Sequence, residues 1–128
     1  MCTRVSRHVV AALVAYPLAV GAQIQDGAWF LRTCGAALKQ ADGKQVPDEE
    51  AVGALYCLSY LSGFADATSL GNSNTKGKPL ICLPDKGVSN DQALRVFVKY
   101  LRDNPGQLHE SGRTSLYIAL AKTFPCRP

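Results

Sequence analysis

The stretch from Pro47 to Thr68, PDEEAVGALYCLSYLSGFADAT, constrains the fold more than any other part of the chain, because nothing else is as long, as apolar or as uninterrupted. Pro47 suits a first helical position, where a missing N–H costs no hydrogen bond, and Asp48, Glu49 and Glu50 set negative charge at the positive end of the helix dipole. Beyond Ala51 the one charged residue is Asp66. Val52, Leu55, Tyr56, Leu58, Leu61, Phe64 and Ala65 spread apolar or small side chains around almost the whole circumference. That pattern predicts a central helix buried on all sides. At 1.5 Å per residue it would span about 30 Å, the width of a small domain. Gly53 and Gly63 would let neighbours approach closely, and Cys57 stands mid-helix where it could be tethered to one of them.

The first residues are expected to lie outside that domain. MCTRVSRH carries Arg4 and Arg7, VVAALVAYPLAV follows as an apolar run, and small residues precede a cut after Ala22. Residues 1–22 thus read as a secretory signal peptide, with an apolar run of about a dozen residues that is short for a membrane span. Cys2 precedes this run instead of closing it, so a lipoprotein anchor does not fit. Residues 23–128 then form one domain. Losing Arg4 and Arg7 takes Lys plus Arg from 14 to 12 against 10 Asp plus Glu, and the net charge from +4 to +2. The positive residues are scattered singly, which argues against nucleic acid as a partner.

Losing Cys2 also leaves an even cysteine set: Cys34, Cys57, Cys82 and Cys126. In an exported domain this reads as two disulfides, and no close CxxC spacing supports the rival, a structural zinc site. Three connectivities are open, and the order of the helices must choose among them.

Asp26 to Leu38 reads as a first helix capped by Asp26, with Phe30, Leu31, Cys34 and Leu38 near one face and Trp29 helping to fill the core. The polar segment Lys39 to Val46 turns the chain back, so the first and central helices should be antiparallel and a 34–57 bridge within reach. Ser69 to Lys78 is rich in Gly, Ser and Asn and is expected to be an exposed loop. Pro79 to Pro84 is a short extended piece anchored by Cys82. Ser89-Asn90-Asp91-Gln92 is a capping box, after which Leu94, Phe97, Val98 and Leu101 recur at helical spacing while Arg95, Lys99 and Arg102 mark the wet side. Val96 and Tyr100 widen that apolar arc, as extra core or as a dimer contact. Asn104-Pro105-Gly106 ends this helix, and a fourth runs from Ser111 to Thr123. An antiparallel third and fourth helix would bring Cys82 beside Cys126. The resulting fold class is all-α, a small bundle of about four helices stapled by 34–57 and 82–126 bridges, each worth roughly 3 to 4.5 kcal/mol in the chain-entropy model.

The search for chemistry yields little. His109 is the single histidine of the mature chain and sits in a polar turn, and a Cys–His nucleophile would need an unpaired cysteine. Asp66 suits a carboxylate near a helix end that bonds a neighbouring backbone or arginine. With no phosphate-binding glycine loop, paired carboxylates or metal cluster, the chain reads as a binding module and not an enzyme, with no cofactor and no metal.

Four segments in order, Cys57-Leu58-Ser59-Tyr60-Leu61-Ser62-Gly63-Phe64-Ala65-Asp66, Ile81-Cys82-Leu83-Pro84, Val98-Lys99-Tyr100-Leu101 with Pro105, and Phe124-Pro125-Cys126, resemble the Rap/Tai family of type VI secretion immunity proteins. The resemblance covers nearly all of the mature chain. It implies a small helical, disulfide-stapled periplasmic protein of Gram-negative bacteria, often dimeric, that binds a cognate peptidoglycan amidase and blocks its active-site cleft. No inhibitory motif of the family can be carried onto this chain residue by residue. The loops at Ser69 to Lys78 and Asp103 to Gly112 are the expected contacts, through Asn72, Asn74, Lys76 and Lys78 in the first and His109 in the second. The competing expectations are a helical acid-stress chaperone of the periplasm and a binding protein with the family fold but no toxin partner.

Overall fold

The computed structural model describes residues 25–74 and 76–127. The expected signal peptide and the expected cut after Ala22 lie outside the described residues. Four α-helices account for the architecture: α1 (Gly27–Ala41), α2 (Asp48–Asn74), α3 (Asn90–Asp103) and α4 (Gly112–Thr123), with a short 3-10 turn at Pro105–Gln107. The expected all-α bundle is therefore present. Among the described residues the extended backbone amounts to two isolated bridges, Asp26 with Ser111 and Ile81 with Pro125.

Local chemistry sets the helix starts. The Asp26 carboxylate accepts from the Trp29 N–H at 2.8 Å, Ser89 Oγ from Gln92 N–H at 3.1 Å, and Ser111 Oγ from Thr114 N–H at 3.4 Å. Each supplies one of the acceptors that a helix N-terminus lacks. At α1 the rest of the first turn is met from across the fold, since Gly27 N–H donates to Glu110 O and Ala28 N–H to Leu108 O, both at 2.9 Å. The turn before α4 is thereby strapped onto the start of α1. At the other end of α1, Gly43 adopts φ +74 and reverses the chain, a conformation that glycine takes without a Cβ clash.

α1 and α3 form the middle of the bundle, each packed against the other three helices. Phe30, Cys34, Ala36 and Ala37 of α1 meet Leu94, Phe97, Val98 and Leu101 of α3, with Leu116, Ala119 and Leu120 of α4 closing the core. The surplus apolar residues of α3 belong here too: Tyr100 is buried, with its hydroxyl donating to Gln107 Oε1 at 2.8 Å, and Val96 packs partly buried against the core. Both expected disulfides are formed, Cys34–Cys57 between α1 and α2 and Cys82–Cys126 flanking the α3–α4 pair.

Two expectations are corrected. α2 is not the buried centre: of its 27 residues only Ala54, Cys57 and Leu61 are buried, while Val52 is 73% and Leu55 66% exposed. Three other helices of 12 to 15 residues cannot surround one of 27, so α2 lies on the flank of the bundle and shows water the side away from α1 and α3. The segment from Ser69 to Lys78 is also not wholly a loop, because α2 continues through Asn74. Thr68 Oγ1, Ser73 Oγ and Asn74 Nδ2 each donate to the carbonyl four residues back, and Asn72 Nδ2 donates at 2.7 Å to Ile81 O in the extended piece. Side chains that favour loops here bond back along the helix instead of breaking it, and the Asn72 bond ties its last turn to the extended piece.

Candidate partner-binding surface

The residues expected to meet a partner divide into two groups. Asn72 and Asn74 lie on the last turn of α2, where both amides are engaged, one with Ile81 O and the other with Leu70 O. Lys76 and Lys78 follow on the exposed chain beyond the helix. His109 is elsewhere, in the turn strapped to α1, with its Nε2 3.3 Å from Glu110 Oε1 and both side chains exposed. Among the described residues no hydrogen bond or ion pair joins His109 to the Asn72–Lys78 group. Asp66 is exposed on α2, eight residues before the helix ends, and the local bond expected of it is not found among the described residues.

The larger feature of the surface is α2 itself, which presents two different faces. Outward it carries Val52, Leu55, Ser59, Ser62 and Gly63. Helical spacing groups these residues along one side, uncharged throughout. A shallow depression lined by Leu55, Leu58, Ser59, Ser62, Gly63 and Asn90 runs from this side to the start of α3.

On the flank toward α1 and α4, Tyr56, Tyr60 and Phe64 recur every four residues as an aromatic stripe. The Tyr56 and Tyr60 rings are nearly parallel, 13° apart in plane and 6.3 Å between centroids. Trp29 meets Tyr56 edge-on at 5.0 Å, and Phe30 lies 4.8 Å from Tyr60 and 5.6 Å from the buried Phe97, so the stripe is anchored in the core. Beside it, two open grooves share one residue, Arg113. The first is walled by Phe64, Thr114 and Tyr117, and the second by Gln25, Phe30 and Tyr60. Tyr117 is 40% exposed. Partial burial raises the Tyr60 phenol above its ordinary value, Tyr56 adds to the rise, and the charge of Arg113 opposes it.

The sequence reading passes over Arg113, gives Tyr60 no role beyond the family segment, and counts Tyr56 and Phe64 as buried. The four-residue spacing was visible; which side of α2 would remain uncovered was not.

For catalysis the surface offers little. Among the described residues no group of three or more His, Cys, Asp or Glu could hold a metal ion, and all four cysteines of the domain are paired. Among the described residues no helix is long and apolar enough to cross a membrane.

A family model described as Rap1a immunity proteins matches residues 26–126. The chain belongs to the Rap1a immunity protein family. No curated protein and no solved structure matches it. The Rap1a match begins at the cap of α1 and ends on the last cysteine, so it takes in all four helices, both disulfides, the aromatic stripe and Arg113. Membership of the Rap1a family makes the chain an immunity protein that works by binding a toxin effector, and directs attention to its surfaces.

Proposed function

We propose that this protein is the antidote to a peptidoglycan amidase delivered by a type VI secretion system, and that it acts in the periplasm after its leader is removed. The observation that carries the proposal is the Rap1a family match across the whole helical domain. The amidase, the secretion system and the compartment come from the resemblance of the four sequence segments and from the export signal in residues 1–22.

Neutralisation proceeds by occlusion and not by chemistry. Two bridges and a core shared by α1, α3 and α4 make a scaffold that loses little freedom on binding, which favours affinity. Lys76 and Lys78 beyond α2, with His109 on the turn before α4, are assigned to contact the amidase around its cleft, with Asn72 and Asn74 fixing where the first group starts. A second copy of the chain is assigned to the outer side of α2. Val52 and Leu55 supply apolar area there, and the stretch from Val52 to Gly63 is uncharged, so a two-fold pairing centred on it keeps like charges out of its middle.

The oxidised, processed protein should form a stable complex with an amidase encoded beside its gene, abolish muropeptide release by that enzyme, and scatter light as a dimer that L55E dissociates. Full amidase activity in a tenfold excess of the protein, for every candidate amidase of the same genome, would reject the amidase reading. A monomer at all concentrations would reject the second copy.

A further inference from the structure

We propose that the groove between α2 and α4, centred on Arg113, docks a segment of the toxin that presents a carboxylate beside an aromatic or aliphatic side chain. The proposal rests on the immunity reading above and names a surface that reading does not use.

Arg113 stands at the junction of the two grooves, with Phe64 and Tyr117 on one side and Phe30 and Tyr60 on the other. Elsewhere in the domain some cations are paired. Arg95 is held by Asp42 and Asp91, Lys39 by Glu50, and Lys99 by Asp103. Arg32 and Arg102, like Arg113, have no ion-pair partner among the described residues; what sets Arg113 apart is its aromatic setting. A planar guanidinium takes a carboxylate through two parallel hydrogen bonds, and the adjoining rings offer apolar area to a side chain beside that carboxylate. Arginine set among tyrosines is also the composition that concentrates binding energy at the centre of protein interfaces.

The same features decide the class of occupant. A phosphate backbone is tracked by several cations, and the groove has one. A glycan would need polar partners for its many hydroxyls, and besides Arg113 each groove offers two, Gln25 and the Tyr60 hydroxyl in one and Thr114 and the Tyr117 hydroxyl in the other. An apolar side chain with a neighbouring carboxylate matches both the rings and the charge. The groove is also held ready: Gly112 N–H donates to Gln25 O at 2.8 Å, Ser111 caps α4, and Phe30 underlies the site from the core. Arg113 directly follows the turn that carries His109, so one partner can touch both.

The test uses the processed, oxidised protein labelled with 15N and the blocked peptide Ac-Gly-Phe-Asp-Leu-Gly-NH2, with a control in which its Asp is Asn. Expected are amide shifts at Tyr60, Phe64, Arg113, Thr114 and Tyr117, binding at least fivefold weaker for the Asn peptide, and loss of binding in R113E. Glutamate in the first turn of α4 is favourable to the helix dipole, so R113E keeps the fold. Shifts elsewhere, equal affinity for the two peptides, or the same shifts produced by concentrating the protein alone would each overturn the proposal. With the cognate toxin, R113E and Y117A should weaken complex formation at least tenfold while R102A does not. R113E that binds the toxin at full strength would overturn the groove and leave the immunity reading standing. If no candidate amidase is bound even by the unaltered protein, the amidase reading falls and the peptide titration still decides the groove.

Discussion

α2 spans 27 residues and buries three of them, whereas α3 spans 14 and buries Ala93, Leu94, Phe97, Val98, Tyr100 and Leu101. The two helices are held by different means. α3 is fixed by side-chain packing against all three other helices, with its charged residues gathered on one wet strip. α2 is fixed along one side only, by its packing and disulfide on α1, by the aromatic stripe on that flank, and by the Asn72 bond to Ile81. Apolar content says how much a helix could bury, but its neighbours decide how much it does. A helix that is apolar on more sides than the fold can cover keeps surface for something outside the chain, and α2 is that helix here.

Substitutions that separate the two helices give the largest effect. Phe97→Ala in α3 empties a fully buried site and should cost about 3 to 5 kcal/mol in urea unfolding, while Leu55→Ala in α2 should stay within about 0.5 kcal/mol. Similar losses at the two positions would erase the contrast. The disulfides sharpen it next. Loop entropy assigns about 3 kcal/mol to the 23-residue closure and about 4 kcal/mol to the 44-residue one. Since Cys34 and Cys57 are buried within the α1–α2 contact whereas Cys82 is exposed and Cys126 only partly covered, C34A/C57A should destabilise more than C82A/C126A, the reverse of the entropic order.

A smaller pair of changes adds one methyl group to each environment. A Cβ at Gly112 would run into the Phe30 ring, so Gly112→Ala should cost about 1 to 3 kcal/mol. Gly63 of α2 has nothing within 4 Å of the same position, and Gly63→Ala should stabilise by about 0.5 to 1 kcal/mol. Equal responses would mean that α2 is packed as tightly as α4.

The smallest effect concerns the wet strip of α3. The hydrogen bond from Arg95 holds the Asp42 carboxyl below its ordinary value of 3.8 against the opposing desolvation, with smaller help from the charges of Arg95 and Lys44. A carboxyl depressed in the folded state adds stability that is present above its unfolded pKa and is lost as pH falls through the folded value. The melting temperature of Arg95→Ala should therefore lie slightly below that of the unaltered protein at pH 6 and converge with it under acid, below the ordinary aspartate range. A difference that persists to pH 2 would point to packing by the arginine stem instead.

Much of this fold is legible in the residues. Asp26, Ser89 and Ser111 stand where the caps form, the i, i+3, i+4, i+7 pattern of α3 marks its core face, and the order of four helices pairs the cysteines as found. What the sequence withholds is global. The end of α2 at Asn74 depends on Asn72 finding a carbonyl nine residues on, and loop-forming composition cannot reveal that. The exposure of Val52 and Leu55 depends on α1 and α3 taking the middle. Arg113 gains its setting from Phe64 of α2 and Gln25 before α1, which only the finished bundle brings beside it.

The two disulfides join the first cysteine of the domain to the second and the third to the fourth, so the covalent loops follow one another without nesting or crossing. A chain that emerges from its N-terminus and is oxidised as it appears would meet the correct partner first each time. Native pairing is then the kinetically simplest outcome, with no mispaired bond to be undone before the core can close. For a protein needed before its toxin arrives, maturation that requires oxidation but no reshuffling shortens the interval between synthesis and protection.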